Sequence, residues 1–261
     1  MSFGIVTPTV GTKFLRQCVE SVRGQDCLHY LWVDGTQHRE KVDSILDTCR
    51  HDNLRVNYLD ENVGRSGGEF YGHRVYAACP FLINTDYISF LDEDNWVDPN
   101  HIESFRSLIV ENRHQWMYSL RKIVNEAGEY ICDDNCESLG HWPVQFDKSR
   151  FHIDTGCFAI PRNLLVKISH NWMGGWGQDR EFFAAMKSAA PDFGCTMKHT
   201  MNYRMGSETS RATTEMFLQG NKISWQAYTG ERNYPWHEQR NPNTKQSMSF
   251  LYQTTSQRQP S

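Results

Sequence analysis

The 261-residue chain has no run approaching the ~18 apolar residues that a membrane-spanning helix requires. Its start, MSFGIVTPTV, has neither a cationic stretch nor a long apolar core, and no Asn-x-Ser/Thr sequon occurs anywhere. These absences lead to the expectation of a cytoplasmic protein with no membrane span. Charge of one sign is also missing. The 27 Lys and Arg against 31 Asp and Glu leave −4, so neither nucleic acid nor an anionic membrane is an expected partner. The eight cysteines are too sparse and irregular for a disulfide framework, and Cys132 and Cys136 have no second pair to complete a zinc site. Gly64, Gly67 and Gly68 do not make a Gly-x-Gly-x-x-Gly fingerprint, and no Gly-Lys-Ser/Thr loop or Gly-x-Ser-x-Gly elbow exists.

What is present is a generous aromatic stock, 13% of residues, within 39% hydrophobic and 22% charged composition. That balance fits a globular enzyme with a real core. Apolar runs at 3–7, 29–33, 54–58 and 87–91 alternate with helically spaced segments at 14–22, 42–49 and 69–78, the pattern of βαβ units around a mostly parallel sheet. Pro8 and Gly11 are expected to end the first strand. A helix over 102–109, a strand over 116–124, a hairpin and long loop over 125–150, a strand over 151–160 and a helix over 178–186 follow. Residues 239–261 contain three basic and no acidic residues and are expected to form a polar, flexible tail.

Two stretches carry chemistry. Tyr87-Ile-Ser-Phe-Leu-Asp-Glu-Asp delivers Asp92 and Asp94 to the carboxyl end of a strand, where open α/β sheets bind ligands. Alternate residues of an extended chain share a face, so the two carboxylates can converge on one hard cation. A solvated acidic turn is the competing reading. Met173-Gly-Gly-Trp-Gly-Gln-Asp runs into a helix with Asp179 in its first turn, where the helix N-terminus favours an ionised carboxylate suited to a general base. An ordinary helix-start acid competes with that, as does Glu181 two residues further on.

Together with other landmarks, over residues 3–205, these stretches resemble the inverting GT-A glycosyltransferases of family 2. Gly4-Ile-Val-Thr-Pro-Thr9 is similar to the family's first strand and nucleotide turn, Leu31-Trp-Val-Asp-Gly35 to its second strand with Asp34, and Asn62-Val-Gly-Arg-Ser-Gly-Gly68 to the Asn-x-Gly segment. Leu91-Asp-Glu-Asp94 is similar to the metal-binding Asp-x-Asp, and Gly177-Gln-Asp179 to the Glu-Asp pair, with Gln178 in place of the Glu. Gly175-Trp-Gly177 is similar to the acceptor loop of β-1,4-galactosyltransferases, and the opening resembles short single-domain viral enzymes.

The resemblance implies a GT-A, Rossmann-like sheet flanked by helices with a smaller acceptor-side sheet. It implies one domain over 1–238, with a nucleotide half at 1–98 and an acceptor half at 99–238. It implies transfer of a sugar, with inversion, from a nucleotide diphosphate sugar, a UDP-sugar foremost, to a glycan hydroxyl, assisted by Mn²⁺ or Mg²⁺. Asp179 is then the base, and Asp92, Asp94 and His199 the metal ligands, with His199 following a strand. Thr7, Pro8, Thr9, Asp34, Arg65, Asp92, Glu93, Asp94 and Arg204 face the donor, Lys198 being a further cation for phosphate. His152, Asp154, Trp176 and Gly177 face the acceptor. A sugar nucleotidyltransferase, or a nucleotide- or glycan-binding module without turnover, are the alternatives.

Overall fold

A computed structural model describes residues 1–65, 69–206, 212–228 and 234–236. The first apolar run forms β1 (Phe3–Thr9), buried along its whole length, and the alternation continues through α1 (Leu15–Val22), β2 (Leu28–Asp34), α2 (Arg39–Leu46), β3 (Leu54–Leu59), α3 (His73–Leu82) and β4 (Tyr87–Phe90). These strands pair in parallel in the order β3-β2-β1-β4. Each crossover helix turns its apolar stripe inward. On α1, Leu15, Cys18, Val19 and Val22 are all fully buried.

After β5 (Trp96–Val97) and α4 (His101–Asn112) the topology changes. β6 (Trp116–Val124), β7 (Tyr130–Asp133), β8 (Phe158–Pro161) and β9 (Phe193–Arg204) extend the same sheet to nine strands instead of building a separate small one. β8 runs antiparallel to both β4 and β6, and β9 lies parallel to β6. α5 (Arg162–Ile168), α6 (Gln178–Ala189) and α7 (Thr214–Tyr228) complete the described elements. One apolar core joins both halves: Trp172 stacks on Phe182 at 4.3 Å and meets Phe90 and Tyr76 at 5.3 and 5.4 Å.

The structure departs from the sequence reading in four further places. Pro8 does not end β1, whose pairing with β2 runs to Thr9. The pairing with β4 stops at Val6, so Pro8 sits where one edge of β1 is no longer laddered and a missing N–H is tolerated. α3 starts at His73 and runs through Pro80, because residues 69–72 are used in a loop. The Tyr76 carbonyl, which a proline at 80 cannot serve, accepts instead from Cys79 Sγ at 3.3 Å. Only Phe158–Pro161 of the expected 151–160 strand pairs, after a 3-10 turn at Thr155–Cys157. His199 lies inside β9, opposite Leu120, and not after a strand. The polar tail at 239–261 falls outside the described residues.

Candidate active site

The carboxyl ends of β1, β2 and β4 open into a cleft of about 1200 Å³. On one wall, Thr9 Oγ1 donates to Glu93 Oε2 at 2.6 Å, while the backbone N–H groups of Val10 and Thr12 donate to the same carboxylate at 3.0 and 2.8 Å. Glu93 thus spends its oxygens clasping the loop after β1. Asp34, at the end of β2, accepts from the N–H groups of Val63 and Gly64 at 2.7 and 2.9 Å, drawing the loop after β3 over the cleft. A Cβ on Gly64 would lie 2.3 Å from the Tyr71 carbonyl oxygen, so glycine is required for that approach.

The floor is acidic. Asp92 accepts from Tyr76 Oη at 2.7 Å. Burial raises its carboxyl well above the usual range, to about 8, and Asp94 beside it adds to the rise, as do Asp154 and Asp179. Across the floor, Arg204 turns its guanidinium into protein. Nε donates to the Asp94 carbonyl at 2.8 Å, Nη1 to the Glu126 carbonyl and Nη2 to Gln17 Oε1, both at 2.5 Å, and the group lies over the rings of Phe14 and Trp96.

The opposite wall begins at Gly177, whose left-handed φ of +81° turns the Gly-rich loop into α6. The Gln178 amide donates to the Asn171 carbonyl at 2.6 Å and folds that loop back on itself. Asp179, one residue later, accepts on Oδ1 from the Arg180 N–H at 2.9 Å, and its Oδ2 lies 3.5 Å from His152 Nε2. Burial, then the nearby Asp154, push Asp179 up to about 7. His152 is held neutral by burial and by the Arg121 and Arg180 charges. Beneath them Arg121, 2% exposed, donates to Asp134 at 2.8 Å, to Glu137 at 2.6 Å and to Asp154, with its guanidinium against Tyr203 and Phe217. Among the described residues, His152, Asp154 and Asp179 also bring three metal-type ligand atoms within 4.8 Å of one another. Asp154, however, is already engaged by Arg121 and by the Gly156 N–H at 3.0 Å.

The whole chain can be compared with known proteins. The profile described as glycosyl transferase family 2 matches residues 4–184. The chain belongs to this family.

Its fold is GT-A, as in Staphylococcus aureus TarS. The structure of TarS 1–349 in complex with UDP-GlcNAc superposes with a TM-score of 0.59 at 16% identity, covering 82% of this chain and 62% of that one. TarS 1–349 in a further structure covers 97% of this chain and 80% of that one, at 13% identity and a TM-score of 0.59. An uncharacterized protein of Haemophilus influenzae is 34% identical over 74 residues, 28% of this chain and 50% of its own length. The chain thus spans half of that relative and under two thirds of the UDP-GlcNAc-bound TarS chain.

Of the residues expected from the family 2 resemblance, Pro8, Thr9, Asp34, Arg65, Asp92, Glu93, Asp94, His152, Asp154, Trp176, Gly177, Asp179 and Arg204 all line the cleft. Thr7, Lys198 and His199 are not among its lining residues. Thr7 is fully buried under α1, with its hydroxyl 2.9 Å from His29 Nε2. Glu93 and Arg204 line the cleft, but their polar groups are committed to its walls. Sequence reasoning missed Arg121, Glu137, Tyr76 and His73, which also builds the site by donating from Nδ1 to the Gly174 carbonyl at 2.8 Å. For Arg121 a signal was available: a cation inside the otherwise apolar run Trp116-Met-Tyr-Ser-Leu-Arg121 needs buried acids to meet it.

Proposed function

We propose that this protein is a metal-dependent, inverting glycosyltransferase that moves a sugar from a UDP-sugar to a glycan hydroxyl. The observation that carries the reading is the pairing, in one cleft, of the Asp92 and Asp94 carboxylates with Asp179 on the opposite wall. TarS has been crystallised with UDP-GlcNAc and with UDP, which supports a uridine nucleotide as donor. One domain over 1–238, with nucleotide and acceptor halves sharing this cleft, belongs to the same proposal.

The donor set fits Mn²⁺ or Mg²⁺: hard carboxylate oxygens at a half-buried site, where burial first and the neighbouring Asp94 second lift Asp92 to about 8. Asp92 and Asp94 would hold the ion, which supplies neutralisation of charge developing on the diphosphate leaving group. Asp179 Oδ2 takes the acceptor proton as the hydroxyl oxygen bonds to the anomeric carbon. The bond to the diphosphate breaks on the opposite face, and its electron pair leaves with the phosphate oxygen. Neutral His152 faces the same Oδ2 and orients it. Arg121 and Arg180 limit how far Asp179 rises, keeping it near the pH at which a base works best.

The test is a thermal-shift series with UDP, UDP-glucose, UDP-galactose and UDP-GlcNAc, each with and without manganese. Ligand at a hundred times its dissociation constant stabilises by about 2.7 kcal/mol. Wild-type protein should show manganese-dependent stabilisation, and Asp94→Ala should lose it. Equal stabilisation of that variant with manganese would remove the metal assignment. NMR of the product anomer decides between inversion and retention.

A further inference from the structure

Tyr71 has a φ of +51°, a left-handed conformation that a bulky side chain normally avoids. Its neighbours over-determine it. The Phe70 N–H donates to the Gly64 carbonyl at 2.7 Å, the Tyr71 carbonyl presses on Gly64, and the His73 N–H donates to the Phe70 carbonyl at 3.0 Å. A Cβ on Gly72 would sit 2.6 Å from Pro8, which fixes the far side of the turn. At Gly11 and Gly177 the chain meets a positive φ with glycine, while Arg113 and Met197 adopt it with side chains away from the cleft lining. At position 71 it keeps an aromatic ring, and strain of this kind persists where surrounding structure enforces it at functional sites.

Tyr71 and Trp176 both line the cleft, and Trp176 is 48% exposed. Their loops are tied together: His73 Nδ1 donates to the Gly174 carbonyl at 2.8 Å, and a Cβ on Gly175 would lie 3.1 Å from the Glu69 carbonyl oxygen. We infer that Tyr71 and Trp176 form an aromatic acceptor subsite that takes the apolar C–H face of a sugar ring, with Tyr71 as a specificity-determining residue. The inference rests on the proposed glycan acceptor. The loop carrying Tyr71 follows the segment held by Asp34 in the 1–98 half, and Trp176 lies in the 99–238 half, so the subsite draws one ring from each half.

Saturation-transfer NMR with the methyl β-glycosides of galactose, glucose, mannose and N-acetylglucosamine, each in the presence of UDP, tests this. Wild-type protein binds at least one of them. Tyr71→Gly and Tyr71→Asn both accommodate positive φ yet lack the large ring, and should weaken that binding about tenfold, while Tyr71→Phe stays within about twofold. UDP affinity, measured by calorimetry, is unchanged in all three, and Tyr71→Gly melts no lower than wild type. Wild-type protein that binds none of the glycosides overturns the subsite, and so do Gly and Asn variants of full glycoside affinity. Parallel loss of UDP and glycoside binding in the variants also overturns it, since Tyr71 would then be only a structural support. Failure of wild-type protein to bind UDP refutes the donor reading instead, and glycoside binding lost only in the ring-less variants would still support the subsite.

Discussion

Arg204 donates through Nε to the backbone carbonyl of Asp94 at 2.8 Å, across 110 positions of sequence. The last residue of β9 therefore sets the path of the acidic turn after β4, and a cation expected to meet phosphate serves instead to aim a carboxylate. Its backbone N–H reinforces this by donating to Asn95 Oδ1 at 2.9 Å. Replacing Arg204 by Met removes three side-chain hydrogen bonds from a guanidinium that is almost fully buried. Urea denaturation should show a loss of about 3 kcal/mol, and manganese-dependent UDP binding should weaken although the guanidinium is turned away from the cleft. Unchanged stability would contradict this account.

Asp179→Asn should cut transfer by about 10² to 10⁴-fold while leaving UDP binding intact. In wild-type protein the rate should climb as pH passes through about 7 and level off above it, as the base ionises. The stability consequence has a definite sign. The folded carboxyl titrates above its ordinary value of 3.8, so its favourable contribution is full below that value and is lost as pH rises through about 7. Asp179→Asn should thus be more stable than wild type at pH 8 and show no such advantage at pH 3.5, which melting curves at the two pH values can measure.

Arg121 faces three carboxylates from two segments, and a lysine cannot span them with one ammonium. Arg121→Met strands Asp134, Glu137 and Asp154 without their cation and should cost about 3 to 5 kcal/mol. Arg121→Lys should fall between that variant and wild type. Chemical denaturation of the three proteins checks the order, and a fully stable Arg121→Lys would show that the fork geometry is unimportant.

Gln178→Glu converts the chain to the family's usual acidic pair, yet here it should lower transfer. The Gln178 amide donates to the Asn171 carbonyl, and a carboxylate at that place has no proton to give and meets the carbonyl oxygen instead. Steady-state kinetics should show a higher acceptor KM with little change in UDP affinity. Faster transfer would mean that loop closure through Asn171 is dispensable.

The parallel half was legible because each of its elements repeats one physical pattern: a buried run, a breaker, then an amphipathic helix. The placement of Asp92, Asp94 and Asp179 at one cleft was legible for a related reason, since strand ends and helix starts are marked locally by Leu91 turning to acids and by Gly177. A strand ahead of His199 was legible, but the extent of β9 to Arg204 was not, because its residues are buried on both faces and show no clean alternation. The roles of Thr7, Glu93 and Arg204 were equally hidden, because a polar residue near a motif looks the same whether it faces ligand or holds a wall. The distinction depends on contacts 22 to 187 positions away, such as Thr7 to His29 and Arg204 to Gln17. No local pattern encodes those.

Glu93 lies between the two acids proposed to bind the ion, and its own carboxylate clasps Thr9, Val10 and Thr12. The nucleotide loop and the acidic turn are consequently one thermodynamic unit. Whatever orders one lowers the entropic cost of ordering the other, and on the proposed function the gain would be mutual by linkage: nucleotide would tighten ion binding by the same factor that the ion tightens nucleotide.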